Sequence, residues 1–404
     1  MHYLKQSQRD VKKNNLNLIL NTIIKHEPLS RADIVRITKI SKPTVSNLID
    51  YLLQRVIINE IGIGKSKGGR KPILIRFNNL RKYIVATDLG REDCTVAISD
   101  LKGNILEKAY EKFKKEDRLN DKLKIAKDLI HLLINSLKIE PSLIFKISCI
   151  APGVYAERGK ELKWSPVNTQ NEGADIKNYF ESEYHVPVII NHSTKLSLLG
   201  EKVAGKAKGY KNVLYIDFAY GLGCSFMIDS NIYFGVNNSA GEFGYFYSSL
   251  QEFMNNTVKP YEFGCLEKRI SGYALQNKGL EKVKENPQSR ILQLAQGDQD
   301  KITGRTVFQA AMEGDQEATQ ILKSSFDYFN MALANIINLL TPEIVIFGGG
   351  FSNAGDYLLD LINDGIKDKV LYMPKFEISE LKKDASIVGA IHYLLNNTDL
   401  LEEI

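Results

Sequence analysis

YIVATDLGREDCTVAISDLKGNIL, residues 83–106, and NVLYIDFAYGLGCSFMID, residues 212–229, are two passages of one kind. Each alternates like a pair of strands, and each carries Asp and Gly at the turn: Asp88-Leu89-Gly90 in the first, Asp217 with Gly221 in the second. After the first, a third strand is expected at Gly103-Asn104-Ile105 and helical patterning at 121–138. The apolar strands KISCIAPG (146–153) and PVIINHS (187–193) come next, the second running into a helix. After the second passage, PEIVIFGGGFSNAG (342–355) reads as a buried strand entering a glycine turn and a helix. The pattern predicts an α/β protein with an internal duplication.

A duplicated strand–turn–strand resembles the actin-like ATPase and sugar-kinase architecture, which is two-lobed. There the two turns and a later Gly-rich loop hold a nucleotide between the lobes. The GGG at 348–350 is a weak motif alone and takes its meaning from its position in that plan.

Upstream lies a different kind of sequence. Residues 1–82 hold 17 Lys+Arg against 5 Asp+Glu, whereas the remainder holds 36 against 43. A basic head on a mildly acidic body suggests a polyanion-binding module joined to something else. The 404 residues, 44% hydrophobic and 25% charged, are enough for two or three domains with their own cores. No apolar run reaches the ~18 residues of a membrane span, and MHYLKQSQRDVKKNNLN lacks the apolar core of a signal peptide. The four cysteines at 94, 149, 224 and 265 form no CxxC, so no local disulfide framework or zinc knuckle is written. A reducing cytoplasm is the expected compartment.

Within the head, Leu16, Ile19, Leu20, Ile23 and Ile24 form a helical stripe that Glu27-Pro28 ends. Ser30 is a good N-cap for a second helix, with Asp33 in its first turn and Ile34, Val35 and Ile37 as its apolar face. SKPTVSNLIDYLLQR is a third helix, apolar at Val45, Leu48, Ile49, Leu52 and Leu53, with Pro43 in its first turn. Val56-Ile57-Ile58 and Ile73-Leu74-Ile75-Arg76-Phe77 then read as two strands around KSKGGRKP. This order predicts an N-terminal winged helix-turn-helix DNA-binding domain over 1–80. Its expected DNA contacts are Ser41, Lys42, Thr44, Ser46 and Asn47 on the third helix, and Lys67, Gly69, Arg70 and Lys71 at the wing tip. Arg70 suits a narrow minor groove.

Head and body together resemble the ROK family (repressors, open reading frames and kinases), in its sugar-responsive repressor branch. SKPTVSNLIDYLL, the wing GGRKP, the APG turn at 151–153, SAGEFGY at 239–245 and GCLE at 264–267 carry the resemblance, which spans essentially the whole chain. It implies lobe 1 at 83–195, completed by a C-terminal helix at 384–400, and lobe 2 at 196–383, with the effector cleft and the dimerisation surface. A homodimer would read a pseudo-palindromic operator in double-stranded DNA.

The chain departs from the family's kinases at three places. Their first phosphate turn reads Asp-x-Gly-Gly-Thr, and here DLGRED puts Arg91 and Glu92 where the second glycine and the threonine belong. Anchored on Leu199-Gly200-Glu201, their catalytic ENDAN corresponds to Asn191-His192-Ser193-Thr194-Lys195, so Ser193 stands at the general-base aspartate. In the second phosphate turn Tyr220-Gly221 replaces the usual threonine. No kinase activity and no nucleotide cofactor are expected. No zinc is expected either: Tyr245 stands where the family has a ligand His, and of its CxCGxxGC cysteines only Cys265 remains. Aromatic packing between Phe243 and Phe263 is a candidate substitute for the metal.

The family's sugar-contacting positions correspond to Gly153, His192, Ser193, Glu242, Tyr245 and Glu267, with Trp164 and Asn168 in the loop after the APG strand. Glu242 and Glu267 keep the expected carboxylate, while His192, Ser193 and Tyr245 are changed. That set suits a different sugar, a disaccharide, or a pocket without its ligand. The resulting expectation is a repressor of carbohydrate uptake or catabolism genes, released by a sugar, with xylose or a xyloside as the leading inducer. Two rival readings stand beside it: an active sugar kinase with a DNA-binding head, and a DNA-binding scaffold whose body senses a protein.

Overall fold

The computed structural model describes residues 8–64, 71–114, 116–151, 154–156, 161–164, 172–255 and 262–403. The chain opens with α1 (Gln8–His26), β1 (Leu29–Ser30), α2 (Arg31–Thr38), α3 (Lys42–Gln54), β2 (Ile58–Ile63) and β3 (Ile73–Phe77). Ser30 caps α2 in a capping box with Asp33, and Ser41 caps α3 ahead of Pro43. α1 starts eight residues before the stripe from Leu16, because residues 10–15 are exposed or half-exposed and carry no apolar period. The expected strand at Val56–Ile58 is displaced to 58–63. Val56 takes φ 57° in a turn, and Ile57 is committed to the core. β3 pairs antiparallel with both β1 and β2, and a bulge at Glu60/Gly62 kinks β2.

The body follows with β4 (Tyr83–Leu89), β5 (Asp93–Ser99), β6 (Ile105–Lys112), α4 (Leu119–Leu137), β7 (Ile144–Ile150), β8 (Val154–Ala156), β9 (Glu161–Trp164), α5 (Glu172–Tyr184), β10 (Val188–Asn191) and α6 (Ser193–Ala204). The second round is β11 (Val213–Phe218), β12 (Leu222–Ile228), β13 (Asn231–Ile232), α7 (Leu250–Asn255), α8 (Glu267–Ile270), α9 (Gly272–Glu285), α10 (Arg290–Leu294), α11 (Gly304–Met312), α12 (Gln316–Leu340), β14 (Ile344–Gly349), α13 (Asp356–Ile366), β15 (Lys375–Ile378), α14 (Ala385–Asn396) and α15 (Leu400–Glu403).

The duplication read from 83–106 and 212–229 appears in the sheets. One has the order β10-β7-β4-β5-β6 and the other β15-β14-β11-β12-β13. In both, a hairpin of antiparallel strands is extended by two strands parallel to its first member. The apolar runs of β7 and β14 are buried nearly throughout, as strands covered on both faces must be. The turns after β4 and β11 therefore point the same way, toward the cleft between the two sheets. This is a sugar-kinase-like α/β body with mixed sheets.

The apolar core of the first 77 residues does not close on itself. Ile19, Ile23, Ile49, Ile75 and Phe77 belong to one continuous cluster with Ile84, Leu101, Leu196, Ile387, Ile391 and Leu394 of the body. Of the aromatics named as a candidate substitute for the family's metal, Phe243 is fully buried against Phe246 and Phe329, whereas Tyr247 and Phe253 pair at the surface.

Candidate functional site

His192, Ser193, Glu242, Tyr245 and Glu267 come from three separate segments and line one cavity of about 250 Å³. The turn Asp88–Arg91 supplies one wall, Ala219–Gly223 another, and Phe263 closes the side. Gly153 and Asn168, also expected here, lie outside the described residues, as does the side chain of Trp164.

His192 is the N-cap of α6. Its Nδ1 receives the Thr194 amide at 3.4 Å and lies 2.8 Å from the Thr194 hydroxyl. Burial and the nearby Lys195 ammonium push its pKa down to about 3, so the ring is neutral. Lys195 is itself buried, donates to the Asn238 carbonyl at 2.8 Å and is attracted by Glu242. Burial lifts the Glu242 carboxyl to about 7, with Lys195 opposing the shift.

Glu267 is also held near 7 by burial. One of its oxygens accepts from the Leu222 amide at 2.7 Å and the other from the Gly264 amide at 3.3 Å, so it braces two loops as well as lining the cavity. Tyr245 donates its hydroxyl to the Glu262 carbonyl. Carboxyls that titrate near neutrality both donate and accept, which suits a ligand studded with hydroxyls.

The turns contribute residues that the sequence reading did not assign to the site. Asp88 accepts from the Ser386 hydroxyl at 2.6 Å, and burial raises both Asp88 and Asp217 to about 6. The Arg91 guanidinium crosses the cleft to the face of Tyr220, 3.1 Å from the ring centroid. Tyr220 meets Phe263 and Tyr273 edge-on, and those two rings stack at 4.7 Å. The signal was present in DLGRED and AYGLG, where a large side chain, Arg91 or Tyr220, stands at each turn.

A second cavity, about 830 Å³, shares Asp88, Gly90, Ser193 and Asp217 with the first and continues to Gly349, Gly350 and Ser352. Ion pairs Lys108–Asp384 at 2.7 Å and Lys383–Asp93 at 3.1 Å lie along it.

On the head, Lys42 and Asn47 of α3 are exposed, as is Lys71. Ser41 is exposed and spends its hydroxyl on the Thr44 amide and hydroxyl. Ser46 is half-buried and accepts from Arg31, which also pairs with Asp50. Lys67, Gly69 and Arg70 lie outside the described residues.

Curated relatives align over nearly the whole chain. A xylose repressor of Caldicellulosiruptor bescii is 27% identical over 96% of this chain and 96% of its own. The DNA-binding transcriptional dual regulator NagC of Escherichia coli is 25% identical, with 89% and 86% covered. Among solved structures, a ROK family transcriptional regulator homologous to the E. coli MLC protein superposes with TM-score 0.75 at 22% identity, covering 97% of this chain and 98% of its own. A ROK family glucokinase from Streptomyces griseus, solved with glucose and AMPPNP, matches with TM-score 0.65 at 20% identity. It covers 77% of this chain and 98% of its own. The ROK family profile runs from residue 84, in the first strand of the duplicated body, to residue 397, one residue past α14. By that span, the chain belongs to the ROK family.

Proposed function

We propose that this protein is a sugar-responsive transcriptional repressor of carbohydrate genes, with D-xylose or a xyloside as effector and no kinase activity. The observation that carries the reading is the Arg91–Tyr220 contact, which fills both former phosphate turns while the sugar-contacting set beside it stays assembled. On this reading, a nucleotide phosphate seated at those turns would have to displace that contact. Ser193 has no proton-accepting side chain, and neutral His192 already engages Thr194 through Nδ1. The xylose assignment draws on the repressor relatives, and the neutral, hydroxyl-matching chemistry of the cavity agrees with it.

The basic head supplies the DNA-binding part. α2 and α3 form the helix-turn-helix, β2 and β3 the wing, and Lys42, Asn47 and Lys71 stand free on its surface for phosphates and base edges. A dimer presenting two heads would bind a two-fold operator. Among the described residues no helix is long and apolar enough to cross a membrane.

The test is a titration of D-xylose into the protein bound to a fluorescent duplex selected from a random pool, run beside ATP turnover on a sugar panel. The reading expects release by xylose and turnover at background. Sugar-dependent ATP consumption would establish the kinase alternative, and release by no sugar would remove the effector assignment.

A further inference from the structure

Helices α6 and α14 join the sugar cavity to the head without an intervening loop. α6 begins at the cavity, with His192 as its cap and Ser193 as its first residue. It packs on α14 backbone to backbone. A Cβ at Gly200 would strike the Ala385 carbonyl, and one at Gly389 the Leu196 carbonyl. No side chain separates the two helices there, so neither can shift without moving the other.

α14 itself spans the distance from cleft to head. At its first turn, Ser386 donates to Asp88 in the cleft. About 8–12 Å further along the helix, at 1.5 Å per residue, Ile391 and Leu394 lie in the cluster shared with Ile19, Ile23 and Ile75 of the head. Beyond its end, Asp399 pairs with Lys13 of α1 at 3.0 Å. The His392 ring lies against Gly103, next to Lys102. Lys102 forms an ion pair with Glu27, whose other oxygen accepts from the Phe77 amide of the wing strand at 2.7 Å.

We infer that the α6–α14 pair is the element that carries effector occupancy from the cleft to the DNA-binding head, and that Lys102–Glu27 and Asp399–Lys13 are its output contacts. This rests on the repressor reading above. A ligand held between His192 and Asp88 on one sheet and Glu242 and Glu267 on the other side of the cavity draws the two sides together, and the glycine-packed helices, tied to His192 and Asp88, pass that displacement on as a rigid pair. The head then changes its angle to the body. Coupling of this kind requires a two-state element biased from both ends, and the pair meets the cavity at one end and the head at the other.

The experiment cuts the output contacts with Lys102→Gln/Asp399→Asn, neither residue lying in the cavity or on the DNA face. Arg290→Gln, which breaks the distant Arg290–Glu313 pair, is the control. With the selected duplex, wild type and control should lose at least 10-fold in affinity at saturating D-xylose, and the cut variant less than 3-fold. The xylose-induced thermal shift should be the same in all three. Full release from the cut variant overturns the inference.

A ligand-free arm stands apart from the choice of sugar. Tyr220→Ala, which frees the two turns, should change duplex affinity at least 5-fold in the wild-type background and less than 2-fold in the cut background. Equal changes in both, or none in the wild type, overturn the relay. If xylose fails to release the wild type, the effector reading falls and this second arm still decides the relay.

Discussion

The Arg91 guanidinium lies over the ring of Tyr220, 3.1 Å from its centroid, and so ties the turn after β4 to the turn after β11. The contact bridges the two turns across the cavity and so acts as a clasp between the two sheets.

If the clasp holds, Arg91→Ala and Tyr220→Ala each lower the melting temperature by about 2–4 °C, for a cation–π contact of about 1–2 kcal/mol. The double variant should lose little more than either single one. Fully additive losses by differential scanning fluorimetry would mean that the two side chains do not interact.

On the non-kinase reading, a carboxylate at position 193 should not confer catalysis. Ser193→Asp is expected to leave ATP turnover at background with any sugar, because Arg91 still spans from the turn after β4 to Tyr220. Measurable sugar phosphate from Ser193→Asp alone would show that the turn is not blocked.

Stability should respond to pH through Glu242. Burial raises its pKa from the ordinary 4.5 to about 7, so the folded state holds a proton that the unfolded chain releases. Its contribution is complete below about 4.5 and is lost as pH rises through about 7. Glu242→Gln does not titrate, and its stability relative to wild type should improve between pH 5 and 8 by at most about 3 kcal/mol. Parallel pH profiles in urea unfolding would contradict this.

Glu201 is fully buried and accepts from the Lys206 amide at 2.7 Å, the Ser379 hydroxyl at 2.6 Å and the Leu381 amide at 3.0 Å. Glu201→Ala strands three donors and should cost about 3 kcal/mol or more. Glu201→Gln keeps one acceptor and should cost less. Chemical denaturation of the two variants ranks them, and equal losses would assign the effect to packing alone.

In the head, Ser30→Ala removes the capping box of α2 and should cost about 1 kcal/mol. Amide exchange in the first turn of α2 should quicken accordingly, and unchanged exchange there would show that the cap is dispensable.

Local chemistry made much of this legible before any coordinates. Ser30 and Ser41 announce helix starts because a hydroxyl answers an unpaired amide wherever the chain goes. The duplicated hairpin was readable because strand alternation and an Asp-Gly turn are short-range signals. β2 was misplaced because Val56 is β-branched and sits at φ 57°, a conformation that side-chain propensity argues against. Glu267 was read as a sugar contact, and nothing in GCLE shows that its oxygens already hold Leu222 and Gly264 from 45 and 3 residues away.

The sequence by itself determined the order of head and body, the duplicated strand hairpins and the large side chains Arg91 and Tyr220 at their turns, since each is written within a few neighbouring residues. Only the tertiary structure decided that Arg91 reaches Tyr220, that Asp88 holds Ser386, and that α14 lies between the cleft and α1. These contacts join residues more than a hundred positions apart. Their geometry follows from how two sheets and a shared core close on each other, which no local period encodes.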